Sequence, residues 1–187
     1  MKPLSGRPRE SLQNGGLCRD QRGVSAIEFA ILVPILLLLF VGAAEIANFK
    51  TIQRRVETVA ATVADLTAQV KQVSDADLRD IVAASTGILF PYSTTPLEVV
   101  LSSVVADQNN NGKVDWSYAS SGSGRAGGTS YLLPTGTTEA YSSVIVVEVT
   151  YAFTPLLDLK KVFSPGALNL QRTSYARPRK SLTVAKK

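Results

Sequence analysis

Val24 to Ala47 reads VSAIEFAILVPILLLLFVGAAEIA, the long apolar run of this chain, and any fold must accommodate it. At the standard helical rise it reaches about 36 Å, enough for a hydrocarbon core near 30 Å. Two residues inside it stand out. Glu28 places a carboxylate near its start, where charge is costly and usually functional. Pro34 lacks an N–H and weakens or kinks a helix one turn beyond Phe29, although membrane helices tolerate such prolines.

Three readings compete for this run. A buried core helix fits poorly, because Phe29 to Ala44 carries no charge and includes four consecutive leucines, more than one face of a soluble helix requires. An ordinary secretory signal fits the basic start, the Ile31–Val41 core and the small residues Gly42, Ala43 and Ala44. Glu28 at the head of the hydrophobic region fits it less well. A retained membrane helix accommodates all of these, and the basic segment before it would stay cytoplasmic while the rest faces outward.

Charge supports that orientation. The 187 residues hold 20 bases and 15 acids. Residues 1–23 carry five bases against two acids, and 172–187 carry six bases and no acid, leaving 24–171 mildly acidic. A nucleic-acid partner is therefore not expected, since the excess sits at the ends and not on the folded part. There is no histidine, and the one cysteine, Cys18, precedes Gly23. His-based triads, His or paired-Cys metal sites and internal disulfides are excluded.

Downstream, Phe49, Ile52, Val56, Val59, Val63, Leu66, Val70 and Val73 alternate spacings of three and four, and no Gly or Pro lies from Ala43 to Val73. The pattern predicts one helix from about Val24 to Val73. Its second half presents either a core-facing stripe for the chain's own sheet or a seam for a partner helix. Ser74, with Asp75 and Asp77 behind it, predicts the cap of a short helix ending near Gly87, with Leu78, Ile81 and Val82 on its apolar side.

After Pro91 the texture is that of strands: Leu97–Ala106, Lys113–Ala119 with Val114, Trp116 and Tyr118 on one face, Ser143–Phe153, and residues 167–176. An antiparallel meander is expected. Ser120–Ser130 reads as a flexible loop, Leu156–Phe163 as one or two helical turns, and Arg177–Lys187 as a disordered basic tail able to meet anionic surfaces or partner acids. The plan is a leader (1–23), a transmembrane helix (24–47), a helical region (48–90), a β domain (91–176) and a tail (177–187).

Asp107, Asn109, Asn111 and Asp115, with Gly112 at the sixth place, resemble the first nine positions of a calcium loop. Tyr118 stands where the bidentate acid belongs, and Asn and Gly between two strands equally specify a hairpin turn. Ser103, Ser117 and Thr150 lack a base partner, so a nucleophilic enzyme is not expected. No glycine-rich loop follows a strand and opens a helix with the lysine that phosphate binding needs. No cofactor is expected.

GVSAIEFAILVPILLLLF resembles the prepilin-type start of TadE/TadG-like pseudopilins of the tight-adherence (Flp) pilus, a type IVb-like system. Val104–Tyr118 and Ser143–Leu157 also resemble stretches of these proteins. The resemblance implies an α+β, pilin-like fold, with a long N-terminal helix packed on a small antiparallel sheet. It implies that Gly23 precedes a prepilin peptidase cut, Val24 becomes the new N-terminus, and Glu28 with Phe29 belongs to the processing and assembly motif. The implied partners are the peptidase, other pilins or pseudopilins and inner-membrane lipid, with the domain in the periplasm. The other class left open is a β-sheet binding module behind an ordinary signal peptide or anchor.

Overall fold

The computed structural model describes residues 22–109, 111–155 and 168–187. Most of the leader, with Cys18, and the expected helical turns at Leu156–Phe163 lie outside the described residues. The chain divides into two units, Met1–Ala44 and Glu45–Lys187.

Helix α1 spans Arg22–Ala68 and remains helical through Pro34. In the first unit its large apolar side chains are exposed, Phe40 at 71%. In the second unit the same helix buries Ile52, Val56, Val59, Ala60, Val63, Ala64 and Ala68. That stripe recurs at i, i+3, i+4 and i+7, the period of one helix face. It packs on the sheet, so the core-facing reading of the repeat holds. Leu66 falls outside the stripe and is 37% exposed.

The expected helix to Val73 is too long by about a turn. Gln69 N–H donates to Leu66 O (3.3 Å), and Arg179 N–H donates to the orphan carbonyl of Ala68 (2.9 Å). Gln72–Val73 is instead strand β1, paired in parallel with β7, Ala185–Lys186. A segment more than a hundred positions away satisfies the carbonyl of its last residue, one of those a helix end leaves unpaired. Ser74 then caps α2, Asp75–Thr86, in a reciprocal capping box with Asp77. Leu78 and Val82 face the core, and a 3₁₀ turn follows at Gly87–Leu89.

Five strands form the main sheet. They are β2 (Leu97–Ala106), β3 (Gly112–Ala119), β4 (Ser130–Tyr131), β5 (Ser143–Phe153) and β6 (Leu168–Ala176). All pairs are antiparallel, but the order is β4-β3-β2-β5-β6. The expected meander is corrected: β5 pairs β2, not β3. The long connection after β3 carries the chain across to the far side of β2.

The alternation predicted for β3 is also corrected. Ser103 pairs Trp116 while Val104 pairs Val114, which leaves Asp115 as an extra residue. Such a bulge reverses the facing of whatever precedes it. Trp116 and Tyr118 therefore join the core under α1, with Leu101, Ile145, Val147 and Val149. Val114 joins a second apolar cluster with Val104, Val144 and Val146, covered by Tyr131 and Leu133. The Ser120–Ser130 segment is thus tied down. Val114 and Thr129 bond at 2.9 Å, Gly128 N–H donates to Val114 O, and Arg125 makes a two-toothed ion pair with Glu148. Gly112 is required where the strands close: a Cβ there would lie 2.6 Å from Tyr131 O.

The segment read as a disordered tail is structured as well. Val184 is fully buried. Its carbonyl accepts from Trp116 Nε1 (2.7 Å), and Ala185 and Lys187 N–H groups donate to Lys71 and Val73 carbonyls. Charge and the turn residues around Pro178 conceal a two-residue strand that exists only because β1 and Trp116 receive it.

Candidate functional site

The candidate site begins on the first turns of α1. Gly23 lies just inside the helix, with open space where a Cβ would stand. Val24, Phe29 and the apolar residues that follow are exposed, as is Glu28. In helical geometry Val24 and Glu28 sit on one face, one turn apart. No hydrogen bond or ion pair engages Glu28 among the described residues. A cut before Val24 would therefore create a cation one turn from an unpaired carboxylate. Pro34 falls two turns beyond Ile27, within the same exposed surface.

Among the described residues α1 is the helix long and apolar enough to cross a membrane. Exposing Ile31, Leu32 and Ile35 to Phe40 together far exceeds the patch that a soluble monomer leaves uncovered. Lipid or other apolar helices are the surroundings such a surface suits.

The Asp107–Asp115 stretch lies elsewhere. Asp107 Oδ1 accepts from the backbone N–H groups of Asn109 and Asn111, both at 2.8 Å, and Oδ2 accepts from Asn111 Nδ2 at 3.1 Å. The bond from the Asn111 backbone, above the others, holds the Asp107 carboxyl below its ordinary pKa of 3.8. Both carboxylate oxygens thus already organise the turn between β2 and β3. Asp115 stands apart on the bulge of β3.

Ser103 Oγ is buried without a hydrogen-bond partner, and Ser117 Oγ bonds Leu101 O and Ser102 Oγ. Sequence reasoning missed the Arg125 cluster on the open face of the sheet. Arg125 pairs with Glu148 (2.7 Å) and stacks 5.0 Å from the Tyr131 ring. Glu148 raises the Arg125 pKa, chiefly through their hydrogen bonds, and burial raises that of Tyr131. The cluster pins the connection over the second apolar cluster. The only sequence signal for it was an arginine among glycines and serines.

Residues 23–65 match the model of the TadE-like protein family. The match begins at the glycine before Val24 and runs through most of the buried stripe of α1, stopping short of the sheet. It is consistent with a TadE-like protein of the Tad pilus system, and so with a pilus-associated, membrane-anchored protein. No curated protein and no solved structure matches the chain.

Proposed function

We propose that this chain is a minor pilin or pseudopilin, matured by a prepilin peptidase that cuts between Gly23 and Val24. It then acts in the assembly or structure of a Tad/Flp adhesion pilus. The observation carrying this reading is the solvent-facing apolar half of α1, with Glu28 one turn from the cut. Before assembly this half holds the protein in the inner membrane, with the basic leader in the cytoplasm and Glu45–Lys187 in the periplasm. Gly23 lets an extended backbone enter the peptidase, since no side chain restricts it.

After the cut, the new Val24 amine and the Glu28 carboxylate of a neighbouring subunit are complementary. A lone charge within a span costs about 3 kcal/mol. Pairing offsets part of that cost and favours the axial stagger in which the two groups meet. In this reading the domain's role is structural.

Mass spectrometry of the protein from membranes and from sheared filaments tests the processing step. A mature N-terminus at Val24 is expected. A chain starting near Glu45 would point to an ordinary secretory signal, and an uncut chain to a permanent anchor; either sinks the proposal. Glu28→Ala is expected to leave protein level and cleavage intact while filaments fail to form. Normal filaments from that variant would remove the assembly role.

A further inference from the structure

The end of the domain that follows the span directly in the chain has a composition of its own. Arg55 Nη1 donates to Ile88 O (2.7 Å), and the Arg55 guanidinium lies 5.7 Å from the Tyr92 ring centre. Tyr92 in turn donates its hydroxyl to Asn48 Oδ1 (2.7 Å). The turn after α2 is thereby held beside the first turns of α1 beyond Ala47. Leu89 points inward and is fully buried, whereas Phe90 is 78% exposed.

Charge is absent from Gly87–Leu97 and from Tyr151–Pro155, whose Phe153 packs edge-on against Phe49 at 5.3 Å. Lys50 and Arg54 are exposed on α1 beyond Ala47, beside the half-buried Arg55, and the Arg54 side chain is long enough to reach back toward the headgroups. A single exposed aromatic is ordinary on a protein surface; its position is what matters here. Headgroups add about 6 Å on each side of a bilayer core, roughly four residues of helical rise. With Val24–Ala47 across the bilayer, Asn48, next after the apolar run, would enter that layer, and the Tyr92 hydroxyl bonded to it would follow.

We propose that this end of the domain is a second membrane contact: Phe90 anchors it in the headgroup–acyl boundary, and Lys50 and Arg54 meet anionic headgroups. The proposal rests on the reading of Val24–Ala47 as a membrane anchor. The physical fit is that of interfacial belts, where aromatic rings seat among hydroxyls and headgroups, and basic side chains extend along them. Ser93, Thr94 and Thr95 supply the hydroxyls. Such a contact would hold the unassembled subunit against the bilayer by more than its span, and assembly would have to release it.

The test uses the full chain reconstituted in vesicles of phosphatidylethanolamine and phosphatidylglycerol, some carrying bromine at a shallow acyl position. Tryptophan is placed by Phe90→Trp, by Phe40→Trp within the span and by Leu132→Trp on the exposed connection after β4. The native Trp116 is buried and common to all. Phe90→Trp is expected to emit to the blue of Leu132→Trp and to lose most of its added emission to brominated lipid, while Leu132→Trp keeps its own. Adding Lys50→Glu and Arg54→Glu should restore much of the Phe90→Trp emission. If Phe90→Trp is unquenched while Phe40→Trp is quenched, the contact is overturned and the anchor stands. If neither is quenched, the anchor reading falls and the contact with it. Quenching of Phe90→Trp unchanged by the two glutamates would remove the headgroup role of Lys50 and Arg54.

Discussion

The two halves of α1 share one backbone and one helical period, yet their side chains meet opposite surroundings. From Val24 to Ile46 the large apolar groups are mostly exposed; from Ile52 to Ala68 they narrow to a buried stripe, Leu66 apart. Breadth of the apolar surface separates the two. A stripe can be covered by one sheet, whereas a cylinder can be covered only by a surrounding solvent or by several helices. The first half is therefore adapted to something outside the chain, the second to the chain itself.

Charge placed in each half breaks this comparison most directly. Val59→Asp buries an unpaired carboxylate at a fully covered position and is expected to cost more than about 4 kcal/mol, leaving the domain unfolded. Loss of protease resistance in detergent would report it. Leu37→Asp, in the exposed half, should leave the melting of the domain unchanged and instead lower the membrane-retained fraction. Equal loss of melting temperature from both substitutions would defeat the comparison.

Removing the cover sharpens it further. Leu101→Ala opens a cavity on the sheet side of the buried stripe, and about 2–5 kcal/mol of stability should be lost in urea unfolding. Deleting Val184–Lys187 exposes the end of α1 and the indole of Trp116; a loss of about 3 kcal/mol is expected from the Val184 side chain and its neighbouring hydrogen bonds. Ser74→Ala removes half of the capping box of α2 and should cost about 1 kcal/mol.

The smallest effect is acid sensitivity. Asp77, held by the Ser74 backbone N–H and hydroxyl, and Asp107, held by Asn111, both have folded pKa values below 3.8. A depressed carboxylate stabilises the fold above its unfolded pKa, and that contribution is lost as pH falls through the folded value. The melting temperature should thus be level above pH 3.8 with respect to these groups and decline below it. Asp107→Asn should shallow the decline; an acid limb unchanged by it would place the proton uptake elsewhere.

Much of this architecture was legible before any coordinates. β2 and β5 have the predicted bounds because β-branched runs between turn residues leave little alternative. The cap of α2 was readable from Ser74 and Asp77, and the buried stripe of α1 from its period. The errors share a cause. The end of α1, the bulge at Asp115, the crossing from β3 to β5 and the packed segment after Pro178 all depend on partners far away in sequence. Val70 and Val73 continue the apolar spacing of α1 but leave the helix, because β7 and Arg179 compete for that stretch.

For the candidate site the balance is different. Gly23, Val24, Glu28, Phe29 and Pro34 were all named from sequence, because an apolar run and the residues that interrupt it form a local pattern. The sequence by itself therefore determined the long apolar run and the periodic elements, all of which rest on patterns within a few residues. Tertiary structure alone decided which strand β5 joins, which face Val114 occupies and where α1 stops. Those choices depend on hydrogen bonds and buried contacts between segments as distant as Ala68 and Arg179, and no local preference encodes them.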